Sequence, residues 1–177
     1  MANKPVAVRM LEQRKVAHEL FEFDDAIRSA DEVARVTGMP PAHVYKTLVI
    51  EEDPPKGKPR LFMIPSDSEA DLKALASALG LKKMRMASHR DAERYTGLLV
   101  GGISALALIA KGFPVLIDGR SRDLEQVLVS AGLRGMDVRL AVTDLVALTG
   151  ARALDGCTRG GRHADREREG GAVRYET

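Results

Sequence analysis

Apolar positions along the chain come in short blocks separated by polar turns, glycines and prolines. Pro5 to Lys15 places Val6, Met10 and Leu11 on one helical face, with Pro5 tolerated in the first turn. Val16 to Phe23 alternates imperfectly, with Phe21 and Phe23 on one side, and predicts a strand. Ser29-Ala30-Asp31-Glu32 has the form of a capping box, and the helix it opens ends near Gly38, before Met39-Pro40-Pro41 breaks the chain. Val44 to Ile50 is strongly β-prone, and the polar turn Asp53 to Pro59 returns it to a hairpin partner over Arg60 to Ile64. Ser68 is expected to cap a helix from Glu69 to Leu79, with Leu72, Leu75, Ala76 and Leu79 as its apolar face and Gly80 as its stop. Leu81 to Ala87 predicts a short strand, and Ser88 with Asp91 caps a short helix that runs out at Gly97.

Ala105 to Ala110 is apolar and reads equally as helix or strand. Phe113 to Asp118, Leu124 to Ser130 and Gly135 to Leu140 predict strands, the last two joined by a turn at Leu133-Arg134. Thr143 is expected to cap a last helix that Gly150 stops. The order is mixed, with antiparallel strands late in the chain, and lacks the regular βαβ alternation of a doubly wound sheet. From Asp155 the chain turns polar, Gly-rich and mixed in charge. That predicts a folded domain over residues 1–154 and a flexible charged tail over 155–177. The arginines of this tail either touch RNA or are solvated among the acidic residues that alternate with them.

Composition narrows the classes. Hydrophobic content of 45% over 177 residues supports one domain with a real core. Twenty-seven Lys and Arg against 25 Asp and Glu leave a formal net charge of +2, too balanced to announce a nucleic-acid binder, though a local basic face is compatible with it. Aromatic content of 4% argues against an extended base-stacking surface. The single cysteine, Cys157, excludes a disulfide framework and a thiolate metal cluster. His18, His43, His89 and His163 lack ligand spacing, so neither a metal nor a cofactor is expected. The start lacks the form of a signal peptide and no apolar run is long enough to span a bilayer; a cytoplasmic protein with no membrane partner is expected.

Three places carry candidate chemistry. Thr96 to Ser104 holds three glycines within six residues, Gly97, Gly101 and Gly102. The stretch is either a turn between buried segments or a loop whose backbone N–H groups face an anionic or carbonyl oxygen. Lys46, inside the β-prone run, either points to solvent at an edge or is held in a pocket, where it supplies a point charge. Ser130 and Asp137 flank the predicted strand–turn–strand and so approach each other, as turn caps or as pocket residues; Asp118 before Gly119 reads as a turn residue.

Val44 to Leu48, Thr96 to Ser104, Pro114 to Asp118 and Val129 to Asp137, in this order, resemble the YbaK/EbsC group of aminoacyl-tRNA editing domains, related to the insertion domain of prolyl-tRNA synthetase. The likeness runs from about Val6 to about Leu154. It implies an α/β fold, α+β-like in its order, with a mixed, barrel-like sheet and flanking helices. It implies a deacylase acting in trans on misacylated tRNA, Cys-tRNA(Pro) in the YbaK branch, with prolyl-tRNA synthetase as a possible partner. By position it assigns catalysis to Lys46, Gly101 and Gly102, and substrate contact to Phe23, Ile103, Ser104, Ala105, Ser130 and Asp137. In that branch the substrate thiol attacks its own ester, so no protein nucleophile is needed and Cys157 has no part.

Two residues depart from the family pattern. Ala105 stands where a proline commonly ends the loop, and Phe23 stands where a tyrosine is usual. These departures keep two alternatives open: a deacylase for another small amino acid, such as Ala-tRNA(Pro), by water attack, and a non-catalytic module that binds tRNA or a synthetase. Lys82, Lys83 and Arg85, with Lys58 and Arg60, are either tRNA-facing basic patches or solvated faces.

Overall fold

The computed structural model describes residues 4–160. Ten strands and five α-helices follow the predicted order with local exceptions. The strands are β1 (His18–Glu22), β2 (Tyr45–Glu52), β3 (Arg60–Pro65), β4 (Ser68–Ala70), β5 (Met84–Met86), β6 (Val115–Asp118), β7 (Gln126–Leu133), β8 (Met136–Ala141), β9 (Arg152–Leu154) and β10 (Thr158–Gly160). The helices are α1 (Val6–Gln13), α2 (Ala30–Thr37), α3 (Leu72–Ala78), α4 (His89–Thr96) and α5 (Val142–Thr149).

A five-stranded sheet in the order β5-β2-β3-β6-β9 organises the domain. Strands β2 and β3 form the predicted antiparallel hairpin, with Lys46 opposite Ile64, while β6 joins β3, and β9 joins β6, in parallel. Apolar cores cover both faces, so β3 reads as an unbroken apolar run rather than an alternation. Leu61 and Met63 enter one core with Val49, Val115 and Ile117; Phe62 and Ile64 enter the other with Ile50, Leu116 and α3. Burying a side chain such as Phe62 contributes about 1.5–3 kcal/mol.

A three-stranded antiparallel sheet, β1-β8-β7, packs its inner face (Val127, Val129, Val138, Leu140) on the larger core. An isolated bridge between Val44 and Leu128 links it to the start of β2. The five-stranded sheet stays open, with β5 and β9 at its edges, where the resemblance implied a barrel-like arrangement.

The capping box is present: Ser29 Oγ accepts from Glu32 N at 3.2 Å, and Gly38 ends α2 at φ 71°. Ser88 likewise caps α4 through Asp91 N, and Gly97 ends that helix. Four expectations change. Ser68 does not cap a helix, because it begins β4, which pairs with β10; the cap of α3 moves to Asp71, whose Oδ1 accepts from Ala74 N at 3.0 Å. Thr143 lies inside α5, whose N-cap is Ala141, and Val142 N bonds Glu125 O instead. The face of α1 that is buried is Ala7, Val8 and Leu11, while Val6 is exposed. Ala105 to Ala110 is neither helix nor strand but a run of turns leading into a 3-10 segment, Ile109–Lys111.

Residues 155–160, expected in the tail, belong to the fold. Cys157 is 1% exposed and packs in the core that holds Phe62 and Leu154; its carbonyl accepts from Asp71 N at 2.8 Å. Arg120 ties β10 down by donating to Asp118, Ser68 Oγ and Thr158 Oγ1, and Thr158 also donates to Asp118. The rest of the expected tail, residues 161–177, with His163 and the arginines read as either RNA-touching or solvated, lies outside the described residues.

Candidate active site

A cleft of about 260 Å³ opens where the start of β2, the N-terminus of α2, the glycine stretch and the β7–β8 pair meet. Of the residues singled out from sequence, Lys46, Gly101, Ile103, Ser130 and Asp137 line it.

Lys46 sits on the second residue of β2, with its side chain on the side of Leu48 and Ile50. Tyr45, on the alternate side, is buried with Val49. The half-buried Lys46 ammonium donates to Ser66 O at 3.2 Å. Burial pushes its pKa down, and the carboxylates of Asp31, Glu69 and Asp67 pull it back up. One backbone carbonyl satisfies only part of an ammonium, which has three donors.

Ser130 and Asp137 are direct cross-strand partners in the β7–β8 register. A register shift follows at once, between Ser130 and Leu133, where Ser130 Oγ accepts from Gly132 N at 3.2 Å. Asp137 is 6% exposed, and its carboxyl makes no hydrogen bond or ion pair among the described residues. Burial therefore lifts its pKa from 3.8 to about 7.

The glycine stretch is built in two steps. Gly97 ends α4 with φ 71°, and a tight turn then runs from Leu99 to Gly102, closed by Gly102 N to Leu99 O at 2.9 Å. Gly101, third in the turn, has φ 94°, the sign that a type II turn requires there. A Cβ on Gly101 would lie 3.1 Å from Arg28 Cβ, and one on Gly102 would lie 3.0 Å from Arg134 N. Both glycines thus allow a close approach as well as a turn.

The amide of Gly102 is spent on Leu99, so it cannot hold a substrate oxygen, contrary to the role expected for it. Gly101 and Ile103 line the cleft, and their N–H groups donate to no acceptor among the described residues. Ser104 is buried behind that wall, its Oγ accepting from Ala107 N at 3.1 Å, and Ala105 is buried in the larger core. Phe23 packs with Val33, Ala34, Val44 and Leu128, and its N–H donates to Gly135 O. These three residues support the cleft from behind rather than lining it.

Arg28 is a cleft residue that sequence reasoning missed. It precedes the capping serine of α2, and only its proximity to a second element, Gly101, gives it a role. The basic patch proposed around Lys83 and Arg85 is elsewhere. Arg85 pairs with Glu51, five residues along β2 from Lys46 and so roughly 16 Å away at the rise of a strand, and Lys83 pairs with Asp53, just past the end of β2.

The cleft therefore joins an ammonium, a buried carboxyl and unspent backbone amides, a set suited to holding and cleaving an ester carbonyl. Residues 24–148 match the family described as the aminoacyl-tRNA editing domain. A protein of Enterococcus faecalis named as a candidate Cys-tRNA(Pro)/Cys-tRNA(Cys) deacylase, EbsC, is 37% identical over 150 residues, covering 83% of this chain and 89% of that protein. Among solved structures, hypothetical protein APE2540 superposes with a TM-score of 0.77 at 21% identity, over 87% of this chain and 99% of its own. A candidate trans-editing enzyme for prolyl-tRNA synthetase superposes at 0.72 with 23% identity, over 90% of this chain and all of its own.

The chain belongs to the aminoacyl-tRNA editing domain family, and its reaction class is aminoacyl-tRNA deacylation. No described helix is long and apolar enough to cross a membrane, and no group of His, Cys, Asp and Glu among the described residues has metal-site form.

Proposed function

We propose that the protein acts in trans on Cys-tRNA(Pro), the product of a prolyl-tRNA synthetase that has mistaken cysteine for proline. The ester carbonyl lies against the Gly101 and Ile103 amides. Lys46 supplies positive charge beside the terminal adenosine, and Ser130 and Asp137 line the amino-acid side of the cleft. The substrate thiol attacks its own carbonyl carbon. A C–S bond forms, the ester C–O bond breaks, and the thiol proton ends on the departing ribose oxygen. The products are a cyclic thiolactone and free tRNA. An aminoacyl ester is already activated, so positioning and oxyanion stabilisation supply most of what the step needs.

The observation that carries this reading is the meeting of Lys46, the unspent Gly101 amide and the unpartnered Asp137 carboxyl in one cleft. The similarity to the Enterococcus protein supports the choice of substrate. A panel of misacylated tRNAs tests it, with wild type and Lys46→Ala run side by side. Cys-tRNA(Pro) is expected to be deacylated by wild type and spared by Lys46→Ala. Exchange of the substrate cysteine for serine is expected to collapse the rate, since a hydroxyl does not replace the thiol as nucleophile. A rate that survives that exchange points to water attack on another small amino acid, such as alanine on tRNA(Pro). Binding of tRNA with no turnover of any member points to a non-catalytic module. Lys46→Ala acting at the wild-type rate refutes the site.

A further inference from the structure

The turn that presents Gly101 is gripped from outside the cleft. Arg134, in the β7–β8 turn, donates from Nε to Val100 O at 2.8 Å. From the other side Glu93, on α4, accepts the Val100 N–H at 3.0 Å. Both polar groups of Val100 are therefore fixed by side chains from different elements, and neither of these side chains lines the cleft.

Arg134 holds the oxygen of the peptide whose nitrogen belongs to Gly101. A peptide unit is planar and trans, so its carbonyl and its N–H point in opposite directions. Anchoring Val100 O on Arg134 thereby fixes the direction of the Gly101 N–H. The choice is a real one: type I and type II turns differ by a flip of this central peptide, and glycine in third position tolerates either. Gly101 at φ 94° holds the type II sign. The same hairpin turn presses on the next residue, since a Cβ on Gly102 would meet Leu133 C at 3.1 Å and Arg134 N at 3.0 Å.

We propose that Arg134 is a positioning residue that selects the flip state of the Val100–Gly101 peptide and so aims the Gly101 N–H at the substrate carbonyl. This rests on the editing-site reading above. It also supplies a source of loop rigidity other than the proline commonly found at the position of Ala105: the restraint comes across space from the hairpin that carries Ser130 and Asp137, so loop and hairpin move as one wall.

The test pairs kinetics on Cys-tRNA(Pro) with a substrate-free measurement. Arg134→Ala is expected to lower kcat on the order of 10²-fold, the usual loss for one oxyanion donor, with KM and the melting temperature nearly unchanged. Arg134→Lys, which restores a donor, is expected to recover part of that loss. In the free protein, the strong nuclear Overhauser contact between Val100 Hα and Gly101 H–N that marks a type II turn is expected to weaken in Arg134→Ala. Arg134→Ala that keeps its kcat and this contact, while Lys46→Ala is inactive, overturns the positioning role and leaves the site standing. Lys46→Ala that turns over like wild type overturns both. A fall in kcat that only follows a fall in folded fraction makes Arg134 structural and overturns the proposal as well.

Discussion

Asp137→Asn gives the most quantitative test of the site's electrostatics. Asparagine keeps the size and polarity of the side chain and removes its charge. In the folded chain burial raises the Asp137 carboxyl from 3.8, the value of an unperturbed aspartate, to about 7, and it finds no partner among the described residues. The folded state thus holds this proton more tightly than the unfolded chain does. The protonated acid supports folding at low pH, and that support is lost as pH rises from about 4 to about 7. One pKa unit corresponds to about 1.4 kcal/mol. Between pH ~5 and pH ~8 the loss from this one group integrates to roughly 2–3 kcal/mol. Urea melts of wild type and Asp137→Asn at those two pH values are the assay. The variant is expected to gain on wild type by about that amount, on the order of 1 M in midpoint at a slope of about 2 kcal/mol/M. Parallel pH dependences in the two proteins would falsify the picture of a buried, unpartnered carboxyl.

Two further substitutions probe neighbouring features. Tyr45 Oη is buried without a hydrogen-bond partner among the described residues, and burial raises its pKa, so the group stays a neutral phenol. Tyr45→Phe is expected to stabilise the fold by up to about 1 kcal/mol, read from denaturant melts, because an unmet polar group is removed. Gly101→Ala forces a side chain into φ 94° against Arg28, and is expected to cost about 1–2 kcal/mol and to depress kcat more than KM. A variant that melts and turns over like wild type would show that this turn tolerates a Cβ.

Features that depend on neighbouring residues were legible in the sequence, and those that depend on distant ones were not. The Ser29 and Ser88 caps, the β2–β3 hairpin, and the strand–turn–strand that sets Ser130 opposite Asp137 all follow from local spacing. Ser68 misled because its environment comes from β10, some 90 positions later, which turns a capping serine into a strand residue. The same pairing explains why residues 155–160 looked like tail: their partners lie on β4 and around Asp118, and the one local hint was an isolated cysteine in a polar run. Lys46, the glycine stretch and the Ser130–Asp137 pair each left a turn or surface reading open on local spacing; the family resemblance grouped them, and the structure brings Lys46, Gly101, Ser130 and Asp137 to one cleft. Gly102 misled because the identity of a glycine does not reveal where its N–H points; that needed the bond to Leu99. Arg28 and Arg134 give no local signal, since each matters only through a contact with the loop from another element.

The burial of Cys157 bears on the enzyme's own chemical safety. An aminoacyl ester, and still more a strained thiolactone, is an acyl donor to any accessible thiolate. The thiol of Cys157 is enclosed beneath β4 and α3, donates to Asp155 O, and is pushed by burial further from ionisation. The only sulfhydryl in the sequence is thereby withheld from self-acylation, so an aminoacyl ester held at the cleft meets no accessible thiol on the protein itself.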